Sequence, residues 1–199
     1  MKNNLKFAFV FLTLLVCLRM FSTESVFAQR RDHLTAMEIE LIRDEQSVDR
    51  RMEIYIKAID RRFMVLNNDS SNAKQVQKDT ERWGALPKGT RSELLRDIKE
   101  ILDETISKVD DIAAHDVKNK LLPVAVNILA EGANRFIPEL KTQIDQAADQ
   151  KERGVILGAI DFCNQIIEAS AKVPKLSPKE IKKIQRDAEK EAEKSRQPN

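Results

Sequence analysis

The chain has 199 residues, with 34 Lys and Arg against 32 Asp and Glu, and only two Cys and five Gly. That length suits one domain with its own core, and a formal charge of +2 lacks the basic excess on which nucleic-acid binding rests, so no nucleic-acid partner is expected. Few aromatics and Gly beside many Ala, Leu, Ile, Glu and Lys favour helices over strands.

Lys2 and Lys6 precede an apolar block from Phe7 to Leu18, and Val26-Phe27-Ala28 offers a small-x-small cleavage site before Gln29. Those parts in that order predict a secretory signal peptide over residues 1–28, and export to a periplasmic or extracellular compartment. The apolar block is shorter than a spanning helix, so no transmembrane segment is expected after cleavage. Cys17 does not complete a lipoprotein site, because Val16 stands where a small residue is needed. Three of the 34 basic side chains (Lys2, Lys6, Arg19) and one of the 32 acidic ones (Glu24) fall in this segment, which leaves 31 of each and a neutral mature chain. Cys163 is then the only cysteine; no internal disulfide can form, and its apolar setting reads as a buried thiol.

Residues 29–173 predict an all-α fold, an antiparallel helical bundle of four main helices, and residues 174–199 a charged helical tail. The first helix opens at Leu34-Thr35-Ala36-Met37-Glu38-Ile39, where Thr35 with Glu38 forms a capping box and Leu34 with Ile39 a hydrophobic staple. The five residues Leu34 to Glu38 are similar to the Leu-Thr-x-x-Gln element of small periplasmic stress proteins that act as helical chaperones. Glu38 stands in place of the Gln, the capping box accounts for the same residues, and nothing further follows from it. Apolar steps of three and four residues from Leu41 to Leu66 predict one long helix, Ala36 to about Leu66, with Glu45, Asp49 and Glu53 as a solvated carboxylate row. No Glu-x-x-His accompanies that row, so no metal site is expected there.

Asn67 to Asn72 reads as a helix stop, and Asn68-Asp69-Ser70 within it matches a glycosylation sequon by chance. Ala73 to Glu81 predicts a weak helical turn. Trp83 to Gly89 is a turn-rich connector whose Trp plugs the core. Gly84 to Thr90 looks superficially like a phosphate-binding loop, but its Lys precedes the second Gly and no strand leads in. Thr90 with Glu93 instead caps a second helix that ends near His115, four residues after Asp111. That pair could orient an imidazole, though a His at a helix carboxyl end is also favoured by the helix dipole. His33 offers no obvious partner. Asn119 caps a third helix whose apolar ladder stays in phase across Pro138, which predicts a kink there or two helices meeting at Phe136-Ile137.

Gly154 to Lys172 is the most apolar stretch, and it predicts a hub helix that its neighbours surround. Gly154 and Gly158 share its polar stripe with Asp161 and Gln165; glycines at that spacing admit a close neighbour, so the four residues form a candidate partner or ligand groove. Ser177-Pro178-Lys179-Glu180 starts the tail helix with a cap, an N1 proline and an N3 acid. Lys182, Arg186, Lys190 and Lys194 form one basic row along it, a candidate contact for an anionic partner. No catalytic residue, cofactor site or metal site is singled out. The expected function is non-catalytic, through contact with a protein partner or self-association, with a binding module for a small amphipathic ligand between helices as the alternative.

Overall fold

The computed structural model describes residues 31–68, 80–116 and 118–196; the proposed signal peptide, the sequon's Ser70 and most of the turn expected at Ala73 to Glu81 lie outside them. Among the described residues the protein is helical without strands: α1 (Ala36–Asp44), α2 (Val48–Leu66), α3 (Arg91–His115), α4 (Leu122–Asp145), α5 (Gln150–Ser170) and α6 (Pro178–Arg196). Periodic apolar residues and local caps place most of these ends. Thr35 and Glu38 exchange both capping-box bonds, Thr90 and Glu93 do the same, and α2 stops where Asn68 turns left-handed with φ 49°. The ladder of α4 runs unbroken through Pro138, so residues 136–137 join no separate helices. Asn119 accepts from the Leu121 amide, and the helix itself begins at Leu122.

The helices α2, α3, α5 and α4 pack as a ring of four. Tyr55 meets Glu104 and Arg62 faces Asp97, so α2 and α3 run antiparallel. Asp60 meets Arg135 and Asn67 meets Glu139, so α2 and α4 run parallel. Ser92 meets Glu152 and Lys99 lies on Gly158, so α3 and α5 are parallel as well. Direction therefore alternates along the chain, and the link from α3 to α4 crosses the ring's diagonal.

Two expectations change. The long first helix is broken: Glu45 leaves α1 extended, at φ −80° and ψ 119°, and Ser47 re-enters helix. The corner is fastened by Arg51, whose Nε and Nη2 donate to the Glu45 carbonyl at 3.2 and 2.7 Å. Glu45 thereby quits the helical carboxylate row expected with Asp49 and Glu53, Asp49 is buried, and α1 folds back along α2. The stretch from Gly154 to Lys172 is not surrounded either. It sits at a ring corner with Ile156, Ala159, Cys163 and Ile166 inward, while Ile160, Phe162 and Ile167 are half-buried and Leu157 is 45% exposed. The enclosed helix is α2, because α1 covers the side that the ring leaves open.

Enclosure forces charges inside. Arg61 and Arg62, at 2% and 1% exposure, leave α2 in different directions. Arg61 donates to the carbonyls of Trp83, Gly84 and Ala85 at 2.7, 3.0 and 2.5 Å, tying the connector down beside buried Trp83. Arg62 makes a two-pronged bond to Glu38 at 2.8 and 2.9 Å and reaches the His33 carbonyl at 2.6 Å. Its Nε stands 3.8 Å from Asp97, too far for a hydrogen bond. Two guanidinium groups facing two carboxylates balance, and such a cluster holds a particular arrangement more than it adds stability. Close packing elsewhere uses Gly132, where an added Cβ would lie 2.2 Å from Ile56 Cδ1.

Glu38→Ala is expected to destabilise the fold by about 3 to 5 kcal/mol, since it leaves buried guanidinium charge facing an empty space. Glu189→Ala, on an exposed pair with Arg50, is expected to cost less than about 1 kcal/mol. Urea unfolding measures both; equal midpoints for the two variants would contradict the buried network's role.

Candidate functional site

The stripe of Gly154, Gly158, Asp161 and Gln165 does not assemble into one groove. Gly154 opens onto free space, and Asp161 is exposed. Over Gly158 the Lys99 side chain is already seated: its Cε lies 2.7 Å from where a Cβ would begin, and its Nζ sits 5.4 Å from the centre of the Phe162 ring. The absent side chain thus gives the lysine stem a bed, and the ring face attracts its charge. Gln165, at the far end, edges a cleft of about 250 Å³ between α3, α4 and α5. Ile106, Val126, Leu129 and Ile166 form its apolar floor, with Asp110, Glu168 and Lys172 at its rim. Ligand cavities usually run from about 300 to 1,000 Å³, so this cleft is small for one.

Within the tail, Pro178–Arg196 forms the helix α6. Ser177 and Glu180 form its starting box, with the Ser177 amide donating to Glu180 at 2.7 Å, and these bonds hold the Glu180 carboxyl below its usual range. Half-buried Ile181, Ile184 and Ala188 face the bundle. The anchors are polar: Gln185 donates to buried Asp49 at 2.7 Å, Lys120 meets Glu191 at 2.8 Å, and Arg50 pairs with Glu189. Lys182, Arg186, Lys190 and Lys194 are all exposed. Two acidic side chains of α6, Glu189 and Glu191, thus help fasten it to the protein, and the basic row is left exposed.

His33, passed over in the sequence, is held by specific partners. Its Nε2 lies 2.7 Å from Glu104 Oε2 and its Nδ1 3.9 Å from Glu100, while Tyr55 donates to the other Glu104 oxygen at 2.6 Å. The bond to Glu104 raises the His33 pKa against the opposing effect of burial; that same bond, reinforced by Tyr55, lowers the pKa of Glu104. Burial first, and then the bond to Glu104, push the Tyr55 hydroxyl up. His33 and Glu104 border a depression of about 440 Å³ on α3 that also takes in Glu100, Asp103, Ser107, Lys108 and Asp111. The nearest sequence signal was nil, because Glu104 is 71 positions away.

Asp111 and His115 do meet, at 3.1 Å, but in open solvent with side-chain exposures of 70% and 78%, where water screens the pair. Burial pushes the Cys163 thiol up to about 12, which keeps it a packing residue with no thiolate at neutral pH. Among the described residues no three His, Cys, Asp or Glu side chains are grouped to hold a metal ion, and no helix is long and apolar enough to cross a membrane. No family model, curated protein or solved structure matches the chain.

The pair of His33 and Glu104 sets a pH window. A raised histidine pKa gives stability that is complete below the ordinary 6.5 and lost as pH rises through the folded value. The lowered Glu104 gives stability present above 4.5 and lost as pH falls through its folded value. Urea midpoints are expected to decline on the alkaline side in the native chain and to stay flatter in His33→Gln. A proton NMR titration placing His33 at or below 6.5 would contradict this.

Proposed function

We propose that this chain is an exported, non-catalytic helical bundle that works by contact with another protein, presenting the outward basic row of α6 to an anionic surface. The observation that carries this is the arrangement of charge on α6, where Glu189 and Glu191 meet Arg50 and Lys120 while the row of Lys182, Arg186, Lys190 and Lys194 stays exposed. A helix with little apolar surface to bury gains a defined position this way, and its free face becomes a fixed array of charges at one-turn spacing. Export to a periplasmic or extracellular compartment rests on Lys2, Lys6, the Phe7 to Leu18 block and Val26-Phe27-Ala28. The near-neutral charge of the mature chain speaks for a protein partner over nucleic acid.

A second reading has one observation in its favour. The cleft edged by Gln165 combines an apolar floor with polar rim groups, as a site for a small amphipathic molecule would. Native mass spectrometry of protein taken from its own host separates the two, since added small-molecule mass supports the cleft and its absence supports surface contact.

The reading is tested by reversing the row, Lys182→Glu with Arg186→Glu, Lys190→Glu and Lys194→Glu, and crosslinking in the native compartment. All four side chains are exposed, so the circular dichroism spectrum and melting temperature are expected to stay within error of the native chain. Crosslinked adducts are expected to fall at least about tenfold, because attraction becomes repulsion. Adducts that persist undiminished would remove α6 from the contact.

A further inference from the structure

The outward face of α6 has its complement on another side of the same molecule. We propose that a second copy of this chain is the partner that the basic row binds, and that it is held along the outer face of α3. This deepens the contact reading above and rests on it.

The two faces match in sign and in length. Lys182 to Lys194 spans twelve residues, about 18 Å of helix, and Glu100 to Asp111 spans eleven, about 16.5 Å. Along that stretch of α3 the depression is lined by Glu100, Asp103, Glu104 and Asp111, with Lys108 the one cation of α3 among them. Asp103, Asp110 and Asp111 are exposed, as are all four cations of the row; Asp110 stands outside the depression, at the rim of the cleft, and Asp111 also pairs with His115. The depression also presents the ring of His33, held by Glu104, so its acidic character is strongest toward Asp103 and Asp111.

Within one chain α6 is fastened elsewhere. Its anchors are Asp49 and Arg50 at the start of α2 and Lys120 in the link between α3 and α4. Those contacts use Gln185, Glu189 and Glu191, which leaves the basic row directed away from its own bundle. Every copy carries both faces, so two copies can make the contact twice about a two-fold axis. A neutral chain with a basic row on one side and an acidic depression on another attracts its own kind without a net charge to oppose approach. Exposed pairs at the two faces give a weak and salt-sensitive association.

Sedimentation velocity of the mature chain at about 20 and 300 mM salt reads this directly. The native protein is expected to self-associate at low salt and to weaken at least about tenfold at high salt, as screening shortens to roughly 6 Å. The fourfold reversal on α6 is expected to be monomeric, and so is the separate variant Asp103→Lys with Asp110→Lys and Asp111→Lys, each checked by circular dichroism. Mixing the two variants is expected to restore association, since the reversed row then meets the reversed face. A native chain that stays monomeric at high concentration and low salt, or reversals that associate as the native chain does, would overturn the proposal. If the native chain is monomeric yet forms row-dependent crosslinks to a different protein, self-recognition fails while the contact reading stands.

Discussion

The guanidinium of Arg62 is the point on which the arrangement of this protein depends. It binds Glu38 of α1, the carbonyl of His33 in the lead segment and the carbonyl of Ala58 in its own helix, and it faces Asp97 on α3. An ion so deep costs several kcal/mol to desolvate and returns that only when its partners are all in place, so the cluster acts as a register pin. Any sliding of α1 along α2 would strand charge in a dry interior. The adjacent Arg61 does the same for the connector, through three carbonyls and the Trp83 ring 5.7 Å away.

This pin explains why α2 is the enclosed helix. Its apolar residues, Met52, Tyr55, Ile59 and Phe63 among them, meet α3 and α4, and its charged side is closed by α1 and the lead. Phe63 reaches Phe136 of α4 with ring centres 5.7 Å apart, and Gly132 lets α4 come close enough for Ile56 to fill the gap. The corner at Glu45 to Ser47 makes the fold-back possible, and Arg51 fixes that corner from the helix it introduces.

On the surface, charge is organised by a different rule. Interior ions are paired within the chain, with only the Arg62 Nε left without a hydrogen bond among the described residues, whereas the pairs that seat α6 are exposed and individually weak. Weak seating on one side and four aligned cations on the other make α6 the element whose contacts respond most to salt and to a competing partner. The lead segment behaves in the same spirit near α3, where His33 and Glu104 hold each other in a proton-dependent bond.

By itself the sequence determined the helical class and most helix ends. Thr35 with Glu38, Thr90 with Glu93 and Ser177 with Glu180 are signals completed within one turn, and the apolar period of α4 is unbroken by Pro138. The same local reading overlooked that Glu38, besides capping, is wholly buried against Arg62, 24 positions away. Tertiary structure alone decided the break after Asp44, the enclosure of α2 in place of the more apolar α5, the partner of His33 and the role of Gly132. Gly158, chosen for a close approach, received only a lysine stem. The physical reason is one of range: capping and periodicity act between residues three or four apart, whereas which helix is covered, and which charge is matched, depends on side chains from distant segments meeting in a dry interior.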